Sequence, residues 1–449
     1  MPTHTAKIEI MPEIPDSWDR IRDIQYQVYR AANEIVSTQF FNDLVQSRIK
    51  EAVPGIDKDA IKESFTLAMA GASDAKGYSP RNISYKVVRE KFPELPSSCV
   101  GALNAQVVSV YSNDKKEVMR GDRSIRSYRR NKIGIPIVSK SFTLEEEQIT
   151  WNMSREEKIA FGIRYGRDRS NNRSIVKKIL SGEYKFSDSQ IKVDGKKMFL
   201  LLCYTFDPSP IALDPDVCVG VDVGVSVPAY VALSTGKQRL AIGGRDDILI
   251  PRLKMQAQRR SLQKALRHST VSGGKGRKKK LKALNRMQDR ERNFVRNVNH
   301  NISRRVIDFA LKNNAGVIKM EKLSGISREE SGRFILRNWS YFELQNMIEY
   351  KAKAKNIQVK YIDPAYTSQT CHVCGHQNKE QRLSQSEFVC MNETCETAGE
   401  VINADYNAAK NISLSTNFLD KKGKKRAVRR PKGEAKGTPQ AINQPLTQR

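Results

Sequence analysis

The sequence predicts a multidomain α/β protein, and three observations lead to this fold class. The chain has 449 residues, which is more than one hydrophobic core usually serves. Hydrophobic residues make up 39% of it, as in globular and not in disordered proteins. Strand-like and helix-like segments alternate through the second half of the chain, which is typical of an α/β domain.

The first 120 residues are predicted to be mostly helical. A short strand at 6–12 precedes a helix start at Asp16, after which apolar residues recur at helical spacing. The same spacing predicts further helices at about 57–71, 80–92 and 97–119.

A β-rich module is expected over 121–212. The segment 133–138 is β-like, and 190–200 reads as a hairpin, because its Asp-Gly pair tolerates the positive φ of a tight turn. We expect the strand at 6–12 to join this module, which would make the helical region an insertion.

A proline-rich boundary at 208–215 precedes the predicted α/β domain. The β-branched runs at 217–225 and 230–233 predict paired strands. Two more strands, at 316–321 and 357–362, flank a helix predicted at 339–355.

The charge of the chain predicts a polyanionic partner. Lys and Arg number 78 against 49 Asp and Glu, a formal net charge of +29. Nucleic acid is the natural partner, since each phosphate contact releases counterions. Residues 251–305 hold 18 Lys or Arg and two acids, and they predict two long basic helices with a flexible joint at Ser272–Gly274. The tail over 416–449 is rich in Lys, Gly and Pro and is predicted to be disordered.

An anionic membrane surface is the alternative partner, and the sequence does not favour it. No stretch approaches the roughly 20 apolar residues that span a bilayer, and the N-terminus lacks the apolar region of a signal peptide. We expect a soluble intracellular protein without membrane contact.

Three acids are candidates for a metal site. Asp222 lies in a run of valines, where an unpaired carboxylate is costly to bury, and Glu321 closes a second apolar strand. Asp405 falls in the first turn of a predicted helix, a position that the helix dipole alone explains. Three such acids can hold two divalent cations, and Mg²⁺ suits this role. Their spacing in the sequence permits this arrangement but does not prove it.

Four of the seven cysteines cluster within 371–395. They follow the pattern Cys371-x₂-Cys374 and Cys390-x₄-Cys395, which is typical of a structural zinc site. An odd total and one tight cluster argue against a disulfide framework. His372 and His376 are interpreted as loop residues.

Four segments carry a family resemblance. In chain order they resemble the split RuvC nuclease and zinc ribbon of TnpB proteins and of their descendants, the miniature type V CRISPR effectors. The segments are 219–225, 318–323, 367–375 and 403–409, supported by 276–280 and by Asn338–Trp339. Two upstream segments, 121–125 and 179–184, resemble the compact type V-F effectors more closely than TnpB.

The resemblance implies roles for the candidate residues. Asp222, Glu321 and Asp405 would form the Mg²⁺-binding triad of an RNase H-like (RuvC) domain, with two catalytic ions. Arg382 would approach the scissile phosphate, and the four cysteines would bind one structural zinc. The x₄ spacing at Cys390–Cys395 departs from the x₂ of many relatives and puts the shape of the second knuckle in doubt.

It also implies a domain order. A β-barrel-like wedge domain would surround a helical recognition lobe, followed by a nuclease domain with an inserted zinc ribbon. The predicted ranges are 1–15 and 121–212 for the wedge, 16–120 for the recognition lobe, 213–366 and 401–415 for the nuclease, 367–400 for the ribbon, and 416–449 for the tail. Residues 324–338 would form a lid over the active site.

The implied function is RNA-guided cutting of double-stranded DNA in the cytoplasm of a prokaryotic cell. A guide RNA would pair with DNA beside a short flanking motif, and a single nuclease site would cut both strands. A homodimer sharing one RNA is implied as well. Three alternatives stay open: a transposon-encoded TnpB-type nuclease, a transposase that uses no RNA, and an RNA-guided DNA-binding protein with an inactive site. The presence of all three acids counts against the last.

Overall fold

The chain divides into two compact units, Met1–Asp207 and Pro208–Arg449, in a computed structural model. The structure describes residues 2–55, 57, 80–168, 170–207, 211–224, 227–267, 275–322 and 341–419. Several predicted features lie outside these ranges: nearly all of the helix at 57–71, the joint at 272–274, the lid at 324–338, Asn338–Trp339 and the tail from 420.

A seven-stranded antiparallel sheet organises the first unit. Its order is β2-β6-β7-β1-β5-β4-β3. The strands are β1 (Thr3–Pro12), β2 (Ile135–Ile137), β3 (Phe142–Leu144), β4 (Gln148–Asn152), β5 (Lys158–Arg164), β6 (Lys185–Asp194) and β7 (Lys197–Thr205). The hairpin predicted at 190–200 is confirmed, and Gly195 takes the positive φ of 62° in its turn.

This sheet curls until its two edges approach each other. The edge strands β2 and β3 are consecutive in the chain, joined only by residues 138–141. Six strand spacings of a flat sheet would separate them by about 29 Å, whereas the five residue-to-residue steps from Ile137 to Phe142 reach at most about 18 Å. Strong curvature of this kind is what a barrel-like domain requires.

The opening strand joins this sheet, as predicted. β1 lies between β7 and β5, with Thr3 opposite Thr205 and Glu9 opposite Arg164. Its residues alternate between buried and exposed positions, so one face contributes to the core. The helical region therefore enters the chain between β1 and β2.

Three helices lie in the described part of that insertion, and a short fourth helix follows it. Apolar residues of the first helix recur every three or four positions and are buried, among them Ile21, Val28 and Ile35. Gly121 ends the third helix in the left-handed conformation, with φ of 81°. The helices are α1 (Asp16–Ala52), α2 (Pro80–Lys91), α3 (Ser97–Arg120) and α4 (Asn172–Leu180).

A mixed sheet forms the centre of the second unit. Its order is β10-β9-β8-β11-β12-β15, in which β8, β11 and β12 are neighbouring parallel strands. The strands are β8 (Asp214–Asp222), β9 (Ala229–Leu233), β10 (Arg239–Ile242), β11 (Ala315–Glu321), β12 (Gln358–Ile362) and β15 (Phe418–Leu419). A separate two-stranded ribbon pairs β13 (Glu387–Val389) with β14 (Val401–Asn403).

Four helices accompany these strands among the residues described in this unit, and the two predicted basic helices are among them. They are α5 (Arg245–Arg267), α6 (Lys275–Lys312), α7 (Tyr341–Ala354) and α8 (Ala404–Leu414). Glu291 of α6 pairs with Arg252 and Arg259 of α5, so one of the few acids in this region holds the two helices together.

The structure corrects the predicted start of the tail. Phe418 and Leu419 form β15 and pair with Ile362 and Tyr361 of β12, so the sheet extends past residue 416. The Phe418 ring also accepts a cation–π contact from Lys360. Among the described residues, no helix combines the length and apolar character needed to cross a bilayer.

Candidate carboxylate site and cysteine cluster

Asp222 and Glu321 end two neighbouring parallel strands. Val221 of β8 lies opposite Met320 of β11, so the residue that follows each of them falls at the same edge of the sheet. Adjacent strands are about 4.8 Å apart. Sheet geometry alone therefore brings these two carboxylates together, at the edge where ligands of α/β proteins gather.

Asp405 reaches the same edge because α8 packs closely on β8 at Gly220. A Cβ built on Gly220 would lie 2.0 Å from the Ala409 carbonyl oxygen and 2.5 Å from the Ser413 nitrogen. Asp222 is two residues beyond Gly220, on the same face of the strand. Asp405 is one helical turn before Ala409, on the same side of α8.

The charges of these acids influence one another. Burial, followed by the nearby carboxylates of Glu321 and Asp405, raises the pKa of Asp222 to about 8, and Arg382 opposes this shift. Burial also raises the pKa values of Glu321 and Asp405, and Arg382 opposes both shifts. The structure thus brings together all four residues that the sequence singled out for this site.

The three carboxylates are not gathered as tightly as a single small ion requires. Within the described ranges, the group whose ligand atoms all lie within 4.8 Å of one another is the cysteine cluster and not the acids. Buried acids with raised pKa values are stabilised by a bound cation, because a positive charge favours their ionised forms.

Three residues at this site were not identified from the sequence. Thr367 donates its hydroxyl to Oε1 of Glu321, and Gln345 donates Nε2 to the Glu321 carbonyl at 2.7 Å. Burial and nearby Asp222 raise the pKa of Tyr341 to about 12. Gln345 follows Tyr341 by one turn of α7, so the start of this helix lies against the carboxylates.

Arg382 is presented by the segment between the two cysteine pairs. It follows a short 3₁₀ turn, Lys379–Gln381, and its Nη2 donates to the Gln385 carbonyl at 3.1 Å. The guanidinium lies close enough to oppose the pKa shifts of all three acids. It partly compensates a concentration of negative charge that would otherwise be unstable when buried.

The four predicted cysteines converge on one point. Sγ of Cys371 lies 3.9 Å from that of Cys395, and Sγ of Cys374 lies 3.6 Å from that of Cys390. All four sulfurs fall within 4.8 Å of one another, so they can hold one metal ion. The longer x₄ turn closes without difficulty, since the Cys395 nitrogen donates to the Asn392 carbonyl at 3.0 Å.

The two predicted loop histidines do not belong to this cluster. His372 instead contacts α8: its backbone nitrogen lies 2.9 Å and its ring Nδ1 2.8 Å from Oδ1 of Asn407. Asn407 is fully buried and donates Nδ2 to the Thr370 carbonyl at 2.8 Å. The first knuckle is therefore bonded directly to the helix that carries Asp405.

Comparisons with known proteins agree with this architecture. The family model described as Cas12f1-like, TNB domain, matches residues 341–412. The CRISPR-associated endodeoxyribonuclease Cas12f1 of Sulfoacidibacillus thermotolerans is 33% identical over 361 residues, covering 76% of this chain and 83% of that protein. The putative RNA-guided DNA endonuclease InsQ of Escherichia coli strain K12 is 28% identical over 224 residues, covering 44% of this chain and 52% of the relative.

A solved structure shares the fold. The cryo-EM structure of the Cas12f1-sgRNA-target DNA complex contains a chain that superposes with a TM-score of 0.67. The match covers 90% of this chain and 84% of the other, at 22% sequence identity. At this sequence identity the match shows that the fold is shared. It does not assign roles to individual residues.

Proposed function

Because the chain belongs to the Cas12f1 family of CRISPR-associated endodeoxyribonucleases, we propose that it is an RNA-guided DNA endonuclease of a compact type V CRISPR system. A guide RNA pairs with target DNA beside a short flanking motif, and one site cuts both strands. The observation that carries this proposal is the meeting of Asp222, Glu321 and Asp405 with Arg382 at one edge of the sheet.

The donor set suits magnesium. Mg²⁺ prefers carboxylate oxygens and keeps several waters, and a pair of such ions activates water and stabilises the leaving oxygen of a phosphodiester. Asp222, Glu321 and Asp405 would hold these ions. Ionised Asp222 needs compensating charge, since burial and its acidic neighbours raise its pKa to about 8. Arg382 supplies part of that charge and donates hydrogen bonds toward a phosphate in the same site.

The cysteine cluster suits a structural zinc ion. Zn–S bonds of about 2.3 Å in a tetrahedron place the sulfurs about 3.8 Å apart. The pairs at 3.9 Å and 3.6 Å agree with this spacing. Hydrogen bonds with Thr397 lower the pKa of Cys395, whereas burial raises the pKa values of Cys371 and Cys390, so a bound metal ion would displace protons from these thiols. The ion would stiffen the ribbon beside α8 and would take no part in the chemistry.

The rest of the chain binds nucleic acid. The basic helices α5 and α6 track phosphates, and 251–305 contributes 18 Lys or Arg to this role. The curled sheet of the first unit serves as the wedge and its inserted helices as the recognition lobe. The second unit is the RNase H-like (RuvC) nuclease with the ribbon inserted; its mixed sheet carries Asp222 and Glu321, and helix α8 carries Asp405. Two copies share one guide RNA in the bacterial or archaeal cytoplasm.

The test combines one substitution at the site with one beside it. Asp222→Asn should abolish cutting of DNA in Mg²⁺ while RNA-guided binding, measured by gel shift, is retained. Asp216→Asn is the matched control, because Asp216 lies on the same strand but is exposed. Full cutting by Asp222→Asn would remove this residue from the site.

Sequencing the RNA that co-purifies with the protein distinguishes the effector from a transposon-encoded nuclease. A repeat-derived guide supports the effector, and an RNA from the end of a mobile element would contradict it. The mass of the RNA complex tests the homodimer.

A further inference from the structure

We infer that Thr367 is a positioning residue that orients the Glu321 carboxylate, and that Asn411 of α8 holds Thr367 in place. The inference deepens the proposed function and rests on it, because Glu321 is taken as a metal ligand. Its basis is a chain of hydrogen bonds that runs from β11, through the segment 367–372, to α8.

The first link is the bond between Thr367 and Glu321. The hydroxyl has one proton and two acceptors within reach, Oε1 of Glu321 and, at 3.2 Å, the Pro364 carbonyl. The carboxylate is the closer acceptor, and an ionised acceptor forms a bond roughly twice as strong as a neutral one. The proton therefore points to Glu321, and this bond lowers the pKa that burial raises.

Glu321 needs such a partner because its backbone alone does not fix its side chain. Nε2 of Gln345 holds its carbonyl oxygen at 2.7 Å, which anchors the end of β11. The side chain beyond it has three rotatable bonds and lies in a mostly buried site. A carboxylate that accepts a fixed hydroxyl presents its other lone pairs in a defined direction, as a metal ligand must.

The second link fixes the segment that carries Thr367. Nδ2 of Asn411 lies 2.9 Å from the Thr367 carbonyl and 2.6 Å from the Thr370 carbonyl. Asn407, one turn earlier in α8, holds the same Thr370 carbonyl at 2.8 Å. Since α8 also carries Asp405, one short segment sets Glu321 and Asp405 relative to each other.

The experiment compares two substitutions at Thr367, one that removes the hydroxyl and one that keeps it. Thr367→Val keeps the shape and removes the donor, whereas Thr367→Ser keeps the donor. Substitution of a residue that hydrogen-bonds to a metal ligand typically lowers metal affinity or activity about 10- to 100-fold. We expect Thr367→Val to raise the Mg²⁺ concentration for half-maximal cutting by about that factor, and Thr367→Ser to restore it. RNA-guided DNA binding and zinc content should stay unchanged in both.

A second readout is independent of cutting. Mn²⁺ titration of the RNA-free, zinc-loaded full chain, followed by electron paramagnetic resonance, should show weaker binding in Thr367→Val, with Glu321→Gln as the reference for a lost ligand. Asn411→Ala should give a similar but smaller effect, and the double variant should be less than additive.

Equal Mg²⁺ dependence in Thr367→Val and Thr367→Ser, with Glu321→Gln inactive, would overturn the positioning role alone. Full cutting by Glu321→Gln would instead overturn the proposed site.

Discussion

Gly220 in β8 lies in backbone contact with Ala409 in α8, at a point where no side chain fits between strand and helix. The contact sets the separation between Asp405 and Asp222. Asp222 lies two residues beyond Gly220 on the same face of β8, and Asp405 lies one helical turn before Ala409 in α8. The absence of a side chain at residue 220 is therefore a condition for the carboxylate site.

Substitution of Gly220 tests this relationship. In Gly220→Ala the new Cβ would lie 2.0 Å from a backbone oxygen, so α8 must move away. We expect a loss of about 3 kcal/mol or more in the stability of the second unit and loss of cutting. Hydrogen–deuterium exchange of β8 and α8 peptides measures the change. Gly101→Ala is the control: its Cβ meets no atom within 4 Å, and alanine favours the α3 helix. Unchanged exchange in Gly220→Ala would refute the close-packing argument.

Removal of one cysteine tests the metal cluster. Cys374 is the exposed member, so Cys374→Ser perturbs the core least. We expect loss of the bound zinc, a lower melting temperature and loss of cutting, because the first knuckle is bonded to α8 through Asn407. Zinc content by mass spectrometry and a thermal melt provide the measurement. Cys203→Ser, outside the cluster, should retain the metal. A variant of Cys374 that keeps zinc and melts normally would exclude a structural role for this thiol.

Arg382 is expected to act through its charge near three acids. Arg382→Ala should lower the maximal cutting rate about 10²- to 10³-fold, the usual effect of removing one donor to developing charge. Arg382→Lys should recover part of the rate, since it keeps the charge and loses the planar fork. Lys379→Ala, on the same segment, controls for general loss of positive charge. Single-turnover kinetics at saturating Mg²⁺ decide the question, and a rate equal to the control would rule out the role.

The lowered pKa of Lys351 predicts how the stability of the fold depends on pH. Burial and nearby Arg304 lower its pKa from 10.5 to about 8, while its Nζ donates to the His300 carbonyl and to Ser303 Oγ at 2.7 Å each. Between pH 8 and 10.5, Lys351 is more often protonated in the unfolded chain than in the folded one. The free energy of unfolding should therefore rise with pH from about 8 to 10.5.

Lys351→Met should flatten that part of the profile. Denaturant midpoints at pH 8, 9 and 10 for both proteins isolate the contribution of this residue. Parallel profiles would show that Lys351 titrates normally.

The sequence predicts where Asp222 and Glu321 lie because the features that place them are local in the chain. Each acid follows an apolar run, and acids that end neighbouring parallel strands meet at one edge. Asp405 is different: a helix-start acid has a sufficient explanation in the helix dipole. Only the family resemblance predicts a catalytic role for Asp405. The contact that places Asp405 beside the other acids depends on the packing of α8 against Gly220.

The role of Thr367 cannot be predicted from sequence patterns. Thr367 lies in a recognised segment, 367–375, yet the acceptor of its hydroxyl is 46 residues earlier in the chain. Tyr341 and Gln345 likewise face the carboxylates from a helix whose apolar spacing predicts only its core side. Such roles follow from which elements become neighbours, and hydrophobic periodicity does not contain that information. Phe418 is a similar case, because a two-residue edge strand is too short to leave a pattern.

The central position of β1 has a consequence for synthesis on the ribosome. Its partner in β7 lies about 190 residues later, since Ile10 pairs with Met198. At about 5 to 20 residues per second, β1 waits roughly 10 to 40 s for that partner. Until β5 emerges, both edges of β1 offer free amide and carbonyl groups to other nascent chains, and the edge that pairs with β7 does so through the whole interval. Helices α1 to α3 emerge meanwhile and fold from local contacts, so they are available to shield the strand before its sheet exists.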